Sequence, residues 1–289
     1  ERWMEIQSLQ DIEKWIGEDD HQNSDLGLFY QFSREADFEK LGASKAALLS
    51  YGGFENPDGS YFYHSGFHAN NKTSPFDAQK VLEGIRYSWF QGDDSKNIHP
   101  FNETTQTVLT KKEAYSWAKA PRYDNQVVET GPLARLVING DPLAVNIYQE
   151  MGSNVFSRVL LRFHDMILIL SEMGRWIESI NPDKHFYNAH EKKEEGEAVG
   201  YSEVSRGSLG HWMKVQKGVI TNYQVVSPST WNFSPKDTKG TSGAVEQALK
   251  NLDIQDENDL LEVAHVVRSF DPCLFCTVHN VSIKRNNDA

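Results

Sequence analysis

Cysteine is almost missing from this chain of 289 residues: there are two, Cys273 and Cys276, separated by two positions near the end. They are too few and too close for a disulfide framework, so they say little about redox compartment. No apolar run reaches the length of a membrane span and no secretory signal is visible, which leaves any membrane attachment to a partner. Positive charge is also in short supply. With 29 Lys and Arg against 41 Asp and Glu, the net charge of −12 argues against nucleic acid, or an anionic membrane surface, as a target of a basic patch. Internal repeats and low-complexity tracts are absent. The remaining composition, 39% hydrophobic and 24% charged, is that of an ordinary globular protein of one large domain or two. The chain starts at Glu1 rather than methionine, as a processed, trimmed or partial product does.

The two cysteines sit in SFDPCLFCTVH, Ser269 to His279. Asp271 followed by Pro272 reads as a helix start, with Asp as N-cap and proline at the first helical position. Both thiols then fall in opening turns, where the helix dipole favours thiolate. Residues three apart share a helix face, so the sulfurs can converge on one ion. His279, six residues past Cys273, lies about 9 Å further along such a helix and serves a separate site. Three readings stay open: a pair of buried inert cysteines, a thioredoxin-like dithiol, which needs a preceding βαβ unit, and soft-metal coordination completed by ligands from elsewhere.

At these residues the sequence resembles the C-terminal signature of the large, catalytic subunit of [NiFe] hydrogenases. Four more stretches follow that family's order: LSYGGF (49–54), KAPRYDNQVVETGPLAR (119–135), RGSLGHW (206–212) and VVSPSTW (225–231). The similarity spans nearly the whole chain but only the later part of the family's subunit, and it is closest to the respiratory uptake group. It divides the chain into residues 1–279, the C-terminal portion of that subunit, and 280–289, a cleavable tail.

Local patterns predict a mixed α/β fold dominated by helices. Met4–Ile16, Asp37–Leu49 and Phe76–Trp89 read as helices, their apolar stripes as core. Tyr51–His68, with Asn-Pro-Asp-Gly turn chemistry, reads as short strands in a hairpin, and 91–110 as a surface loop. Residues 119–135 taken alone read as a structured loop with ion pairs, and the resemblance makes them a wall near the metal centre without a chemical role. Asn154–Ile180 carries the longest periodic pattern, through Val155, Val159, Phe163, Met166, Leu170, Met173 and Ile177, and predicts a long buried helix. His190–Glu197 is a charge run expected to be a solvated loop. From Gly200 the pattern becomes β-like, with a hairpin turning at Lys217-Gly218, and Ala244–Leu252 and Leu260–Val267 are helical. His64, His68 and His99 are scattered over loops and read as satisfied or exposed. His164 and Asp165, adjacent on a helix, point about 100° apart and read as core-edge polar contacts rather than a catalytic pair.

The resemblance implies heterolytic cleavage of dihydrogen, which needs a Lewis acid for the hydride and a nearby base for the proton. It implies a Ni–Fe centre with CN and CO ligands on iron, held by four cysteine thiolates. Cys273 matches the terminal nickel ligand and first proton acceptor, and Cys276 the sulfur bridging nickel and iron. Arg206 matches the arginine above the metals, with Asp271 as its partner, although the family usually has proline where Ser205 stands. Ser229 matches a hydrogen-bond donor to cyanide. His279 and the backbone carbonyl of Val225 match ligands of a remote Mg or Fe ion. NVSIKRNNDA, from Asn280, reads as a tail cut after His279 by a maturation endopeptidase. The family's N-terminal CxxC and its proton-exit glutamate have no counterpart in these residues. The resemblance therefore implies another polypeptide or segment carrying that CxxC, an Fe–S small subunit and a membrane cytochrome b on the periplasmic side, with a cytoplasmic location as the alternative. Two other functions stand beside it: a hydrogen-sensing regulatory subunit, and a non-catalytic scaffold like the related subunit of respiratory complex I.

Overall fold

Successive side chains of a strand point to opposite faces of its sheet, and in β1 (Ala47–Glu55) both faces are covered. Leu48 enters one apolar core and its neighbour Leu49 another. The computed structural model, which describes residues 2–273 apart from 57, 104, 186, 188–191, 251, 255 and 257, is organised around this division. β1 pairs antiparallel with β2 (Tyr61–Ala69), which pairs with β3 (Lys72–Ser74), while β6 (Val128–Glu129) runs parallel along the other edge of β1.

The first core is helical. It gathers Ile12 of α1 (Leu9–Ile16), Leu26 of α2 (Asp25–Glu35), Leu136 of α3 (Pro132–Asn139), Ile147 of α4 (Pro142–Met151), Phe156 and Leu160 of α5 (Val155–Ser179) and Val266 of α8 (Leu261–Ser269). The second core is mostly sheet. Behind Leu49 and Tyr51 stand the two-stranded pair β4 (Val81–Gly84) and β5 (Ala120–Tyr123), the antiparallel sheet β7 (Glu195–Val204), β8 (Gly207–Gln216) and β9 (Val219–Val226), and α6 (Pro228–Asn232). Trp212 and Trp231 fill its centre. The short α7 (Ala244–Leu249) closes the helical side beside α8.

The architecture is mixed α/β, as the sequence predicts, and α5 falls where expected. Asn154 caps it by accepting from the Ser157 amide, and Ser157 returns the bond to the Asn154 amide. The hairpin turning at Lys217-Gly218 is also present, with a third strand, β7, occupying part of the expected charged loop.

Three expectations are corrected. The predicted helix over Asp37–Leu49 is a single 3₁₀ turn at Phe38–Lys40 followed by the start of β1. A strand buried on both faces lacks polar and apolar alternation, so it imitates a helical stripe. The predicted helix over Phe76–Trp89 is a 3₁₀ turn at Ala78–Lys80 and then β4, where Glu83 exchanges backbone bonds with Ile98 at 2.8 and 2.9 Å. Long-range pairing outweighs local propensity there. Met4–Ile16 is broken by Ser8, whose side chain accepts from the Asp11 amide and starts α1 anew.

α5 is buried only in its first half. Past Asp165 its inner face packs Trp176 against Phe54 and Phe62 of the β1–β2 hairpin, but Met166, Leu170, Met173 and Ile177 form an exposed apolar stripe. Nothing among the described residues covers it. Leu48→Ala should therefore lower the unfolding free energy by about 2–5 kcal/mol, whereas Leu170→Ala should stay within about 0.5 kcal/mol in urea titrations of the chain.

Candidate metal centre

The descent from α8 to Cys273 is held by two arginines one turn apart on α5. Arg158 binds Glu129 through Nε and Nη2 at 2.9 and 3.2 Å, and donates from Nη1 to the Gly42 carbonyl and Ser269 Oγ. Its guanidinium lies 3.6 Å over the Phe270 ring. Arg162 donates from Nη2 to the Ser269 carbonyl at 2.7 Å, satisfying one of the carbonyls that a helix end leaves open. Asp271 then takes a left-handed conformation, φ 52°, with its amide on the Arg268 carbonyl. Residues 271–273 have no regular structure, so the expected helix does not open at Pro272 and Cys273, and its further course lies outside the described residues.

Arg206 arrives from the opposite side on a two-residue turn. Val204 pairs with Gly207 across the β7–β8 ladder, leaving Ser205 and Arg206 at the tip. Gly207 has φ 124°, and a Cβ there would meet the Gly131 nitrogen and Thr130 Oγ1 at 2.6 Å each. Only glycine allows the turn to rest directly on the Thr130–Gly131 backbone. From this seat Arg206 Nε reaches 3.3 Å from Asp271 Oδ1. The pair is partly exposed, 39% and 33%, and contributes at most about 1 kcal/mol. Its role is placement.

α6 supplies the third wall. Ser227 caps it by accepting from the Thr230 amide, and Asn232 exchanges two bonds of 3.0 Å with the backbone of Thr130. Ser229, buried, accepts from the Cys273 amide at 3.0 Å. An accepting hydroxyl keeps its own proton to donate elsewhere. Arg206, Asp271, Ser229 and Cys273, chosen from sequence, are thus brought together. Val225 stands four residues before Ser229 near the end of β9. Cys276, His279 and Asn280 lie outside the described residues.

Beside these residues is a narrow cleft lined by Glu129, Thr130, Gly131, Arg162, Arg206 and Phe270. Two of its polar atoms, Thr130 Oγ1 and Arg162 Nε, are buried without a hydrogen-bond partner, while Arg206 Nε has only the ionic contact with Asp271. Burial holds the Arg162 guanidinium below its ordinary pKa, with Asp271 acting against that shift. An unsatisfied N–H and an unsatisfied hydroxyl on residues bordering one cleft leave hydrogen-bonding capacity there for an acceptor. Thr130 and Arg162 were not singled out from sequence, although two arginines at i and i+4 on an apolar helix face are a readable signal.

Other sequence candidates stay apart. His164 accepts from Trp3 Nε1 at 2.9 Å and faces Asp141 at 3.1 Å, while Asp165 receives Arg135 and Tyr63. They serve separate networks. His68 bonds Thr73, His99 caps Phe101, and His64 is exposed on β2. Among the described residues no three His, Cys, Asp or Glu side chains converge as a metal site. A second buried cluster had no sequence signal: Lys119 lies 2.7 Å from Glu103 and 3.9 Å from Glu83, and burial pushes Glu83 well above the usual carboxylate range despite that lysine.

Cys273, Ser229, Arg206 and Asp271 therefore meet at one corner of this fold, a thiol-bearing residue among polar and cationic side chains. The model of the nickel-dependent hydrogenase family matches residues 6–279. The periplasmic [NiFeSe] hydrogenase large subunit of Desulfomicrobium baculatum is 30% identical over 274 residues, covering 88% of this chain and 53% of that one. The Hydrogenase-1 large chain of Escherichia coli is 31% identical over 301 residues, covering 86% and 50%. Among solved structures, the Ni-Fe-Se hydrogenase of Desulfovibrio vulgaris Hildenborough superposes with a TM-score of 0.80 at 31% identity, covering 88% of this chain and 57% of that one. This chain belongs to the nickel-dependent hydrogenase family, as a homologue of its large subunits. It spans about half the length of the curated relatives it matches. No helix among the described residues is long and apolar enough to cross a membrane.

One titration follows from the walls of this site. Glu203, fully buried, is pushed up to about 7 by burial, with Arg135 pulling the other way. A carboxyl raised on folding stabilises the native state fully below its unfolded pKa, and that contribution is lost as pH climbs through the folded value. The window runs from the ordinary 4.5 to about 7. Glu203→Gln should abolish a loss on the order of 3 kcal/mol across that window, read as a flatter plot of Tm against pH.

Proposed function

We propose that this chain is the C-terminal portion of the catalytic subunit of a [NiFe] hydrogenase of the uptake group, working in the reversible conversion of dihydrogen to two protons and two electrons. The observation that carries this reading is the junction of Cys273, held through its amide by Ser229, with Arg206 and Asp271 beside a cleft bordered by Thr130 and Arg162. The residues present fit an anionic thiolate-bound metal pair. Cys273 and Cys276 would supply two thiolates, and the two others belong to a segment outside these residues. When bound, a nickel–iron pair carrying CN and CO supplies the Lewis acid that polarises dihydrogen.

Within this chain the proton-accepting atom is Cys273 Sγ. Arg206 contributes a permanent planar cation, held beside Asp271 at the edge of the cleft. Ser229, already accepting from Cys273, has its hydroxyl proton for an iron-bound anion. The Val225 carbonyl and His279 are assigned to a separate Mg or Fe ion. His279 and Asn280 flank the cut of a maturation endopeptidase. The electrons pass to an Fe–S small subunit and, through a membrane cytochrome b, place the enzyme at the periplasmic face.

In the assembled enzyme, Cys273→Ser should remove both nickel, measured by plasma mass spectrometry, and H₂/D₂O isotope exchange. Arg206→Lys should slow exchange on the order of 10²–10³-fold with nickel retained; equal loss of both would make Arg206 structural. Zinc in place of nickel in active material would sink the reading. Intact mass supplies a further check: nickel-loaded chains should end at His279, and mass retained beyond it contradicts processing.

A further inference from the structure

Arg135 is 1% exposed and lies on α3, away from the cleft lining. Each of its three guanidinium nitrogens nonetheless has a hydrogen-bond partner. Nε and Nη2 bind the two oxygens of Asp165 at 3.0 and 2.5 Å, and Nη1 donates to the Val204 carbonyl at 2.6 Å, with Glu203 Oε2 at 3.6 Å. The plane sits 4.9 Å from the Tyr63 ring centre, and the Tyr63 hydroxyl donates to Asp165 at 2.6 Å. Val204 ends β7 and forms the last ladder pair before Arg206. The bond from Arg135 therefore fixes the base of the turn that carries Arg206.

The other end of the clamp matters equally. Asp165 follows Arg158 by seven residues on α5, two helical turns and about 10 Å along the same face. Arg158 and Arg162 hold Ser269, two residues before Asp271. One rigid helix thus sets both parties to the Arg206–Asp271 contact: the α8 end directly, and the β7–β8 turn through Arg135. Lysine at 135 could serve one of these acceptors but not all of them, because only the planar fork reaches carboxylate and carbonyl together. A buried pair of this kind adds little stability over an apolar replacement, which leaves geometry as what it supplies.

We propose that Arg135, gripped by Asp165, is a positioning residue that sets where Arg206 stands relative to Asp271 and Cys273. This rests on the hydrogenase reading for its catalytic consequence, but not for the clamp itself. Hydrogen exchange of the metal-free full chain, followed by mass spectrometry, tests the clamp. In Arg135→Lys and in Asp165→Asn, amides of residues 205–207 should exchange about tenfold faster while those of α5 keep their protection. Unchanged turn amides in both variants overturn the proposal. In the assembled enzyme, Arg135→Lys should lower H₂/D₂O exchange on the order of 10²-fold with nickel content kept, and the double variant with Arg206→Lys should be no slower than Arg206→Lys alone. Losses that multiply would mean that Arg135 does not act through Arg206. If wild-type assembled enzyme shows no isotope exchange, the hydrogenase reading fails, and the turn amides still decide the clamp.

Discussion

A guanidinium buried against a carboxylate is the device on which the rest of this structure depends. Arg158 with Glu129 binds the end of α8 to α5 and to β6. Arg122 with Asp237 does the same for the segment 234–241, donating to Ser234 Oγ and to the carbonyls of Pro235 and Thr241. Arg135 with Asp165 ties α3, α5 and β7. Arg158 and Arg122 also satisfy backbone carbonyls of irregular chain, Gly42 for the first and Pro235 and Thr241 for the second, and Arg135 satisfies the Val204 carbonyl at the end of β7. The desolvation of both ions is offset by these extra bonds, and the outcome is fixed distances between segments far apart in sequence.

That device explains how a site can be built from chain with little regular structure. The residues that meet at the cleft come from a strand end at 129–131, a tight turn at 205–207, the first turn of α6 and the exit of α8. None is long enough to be rigid alone. α5 provides the stiffness, and its arginines and Asp165, spaced at four and three residues, carry it to the loops. Burial of Arg158 beneath Phe270 removes the water that would otherwise compete for its N–H groups.

Elements whose identity is written locally were legible in the sequence. The Lys217-Gly218 hairpin, α5 with its Asn154 cap, and α8 each follow from turn chemistry or period. The hairpin of β1 and β2 over Tyr51–His68 was legible too, but the first half of β1 and β4 were not, because ALLS is buried on both faces and VLEG takes its conformation from Ile98 and β5. Of the site, Cys273, Arg206, Asp271 and Ser229 were legible by family resemblance, and the structure brings those four together. The supporting residues were not. Arg135, Asp165 and Thr130 owe their roles to partners tens of residues away, and such pairings leave no local periodicity to read.

The seat beneath the Arg206 turn constrains how this region can change over generations. Position 207 is closed to any residue bearing a Cβ, since Thr130 and Gly131 occupy that volume. Position 205, at the tip of the same turn, is exposed and meets no such wall. A side chain can therefore be exchanged at 205 and not at 207, so the tip of the turn can be stiffened or loosened while the packing underneath is left as it is.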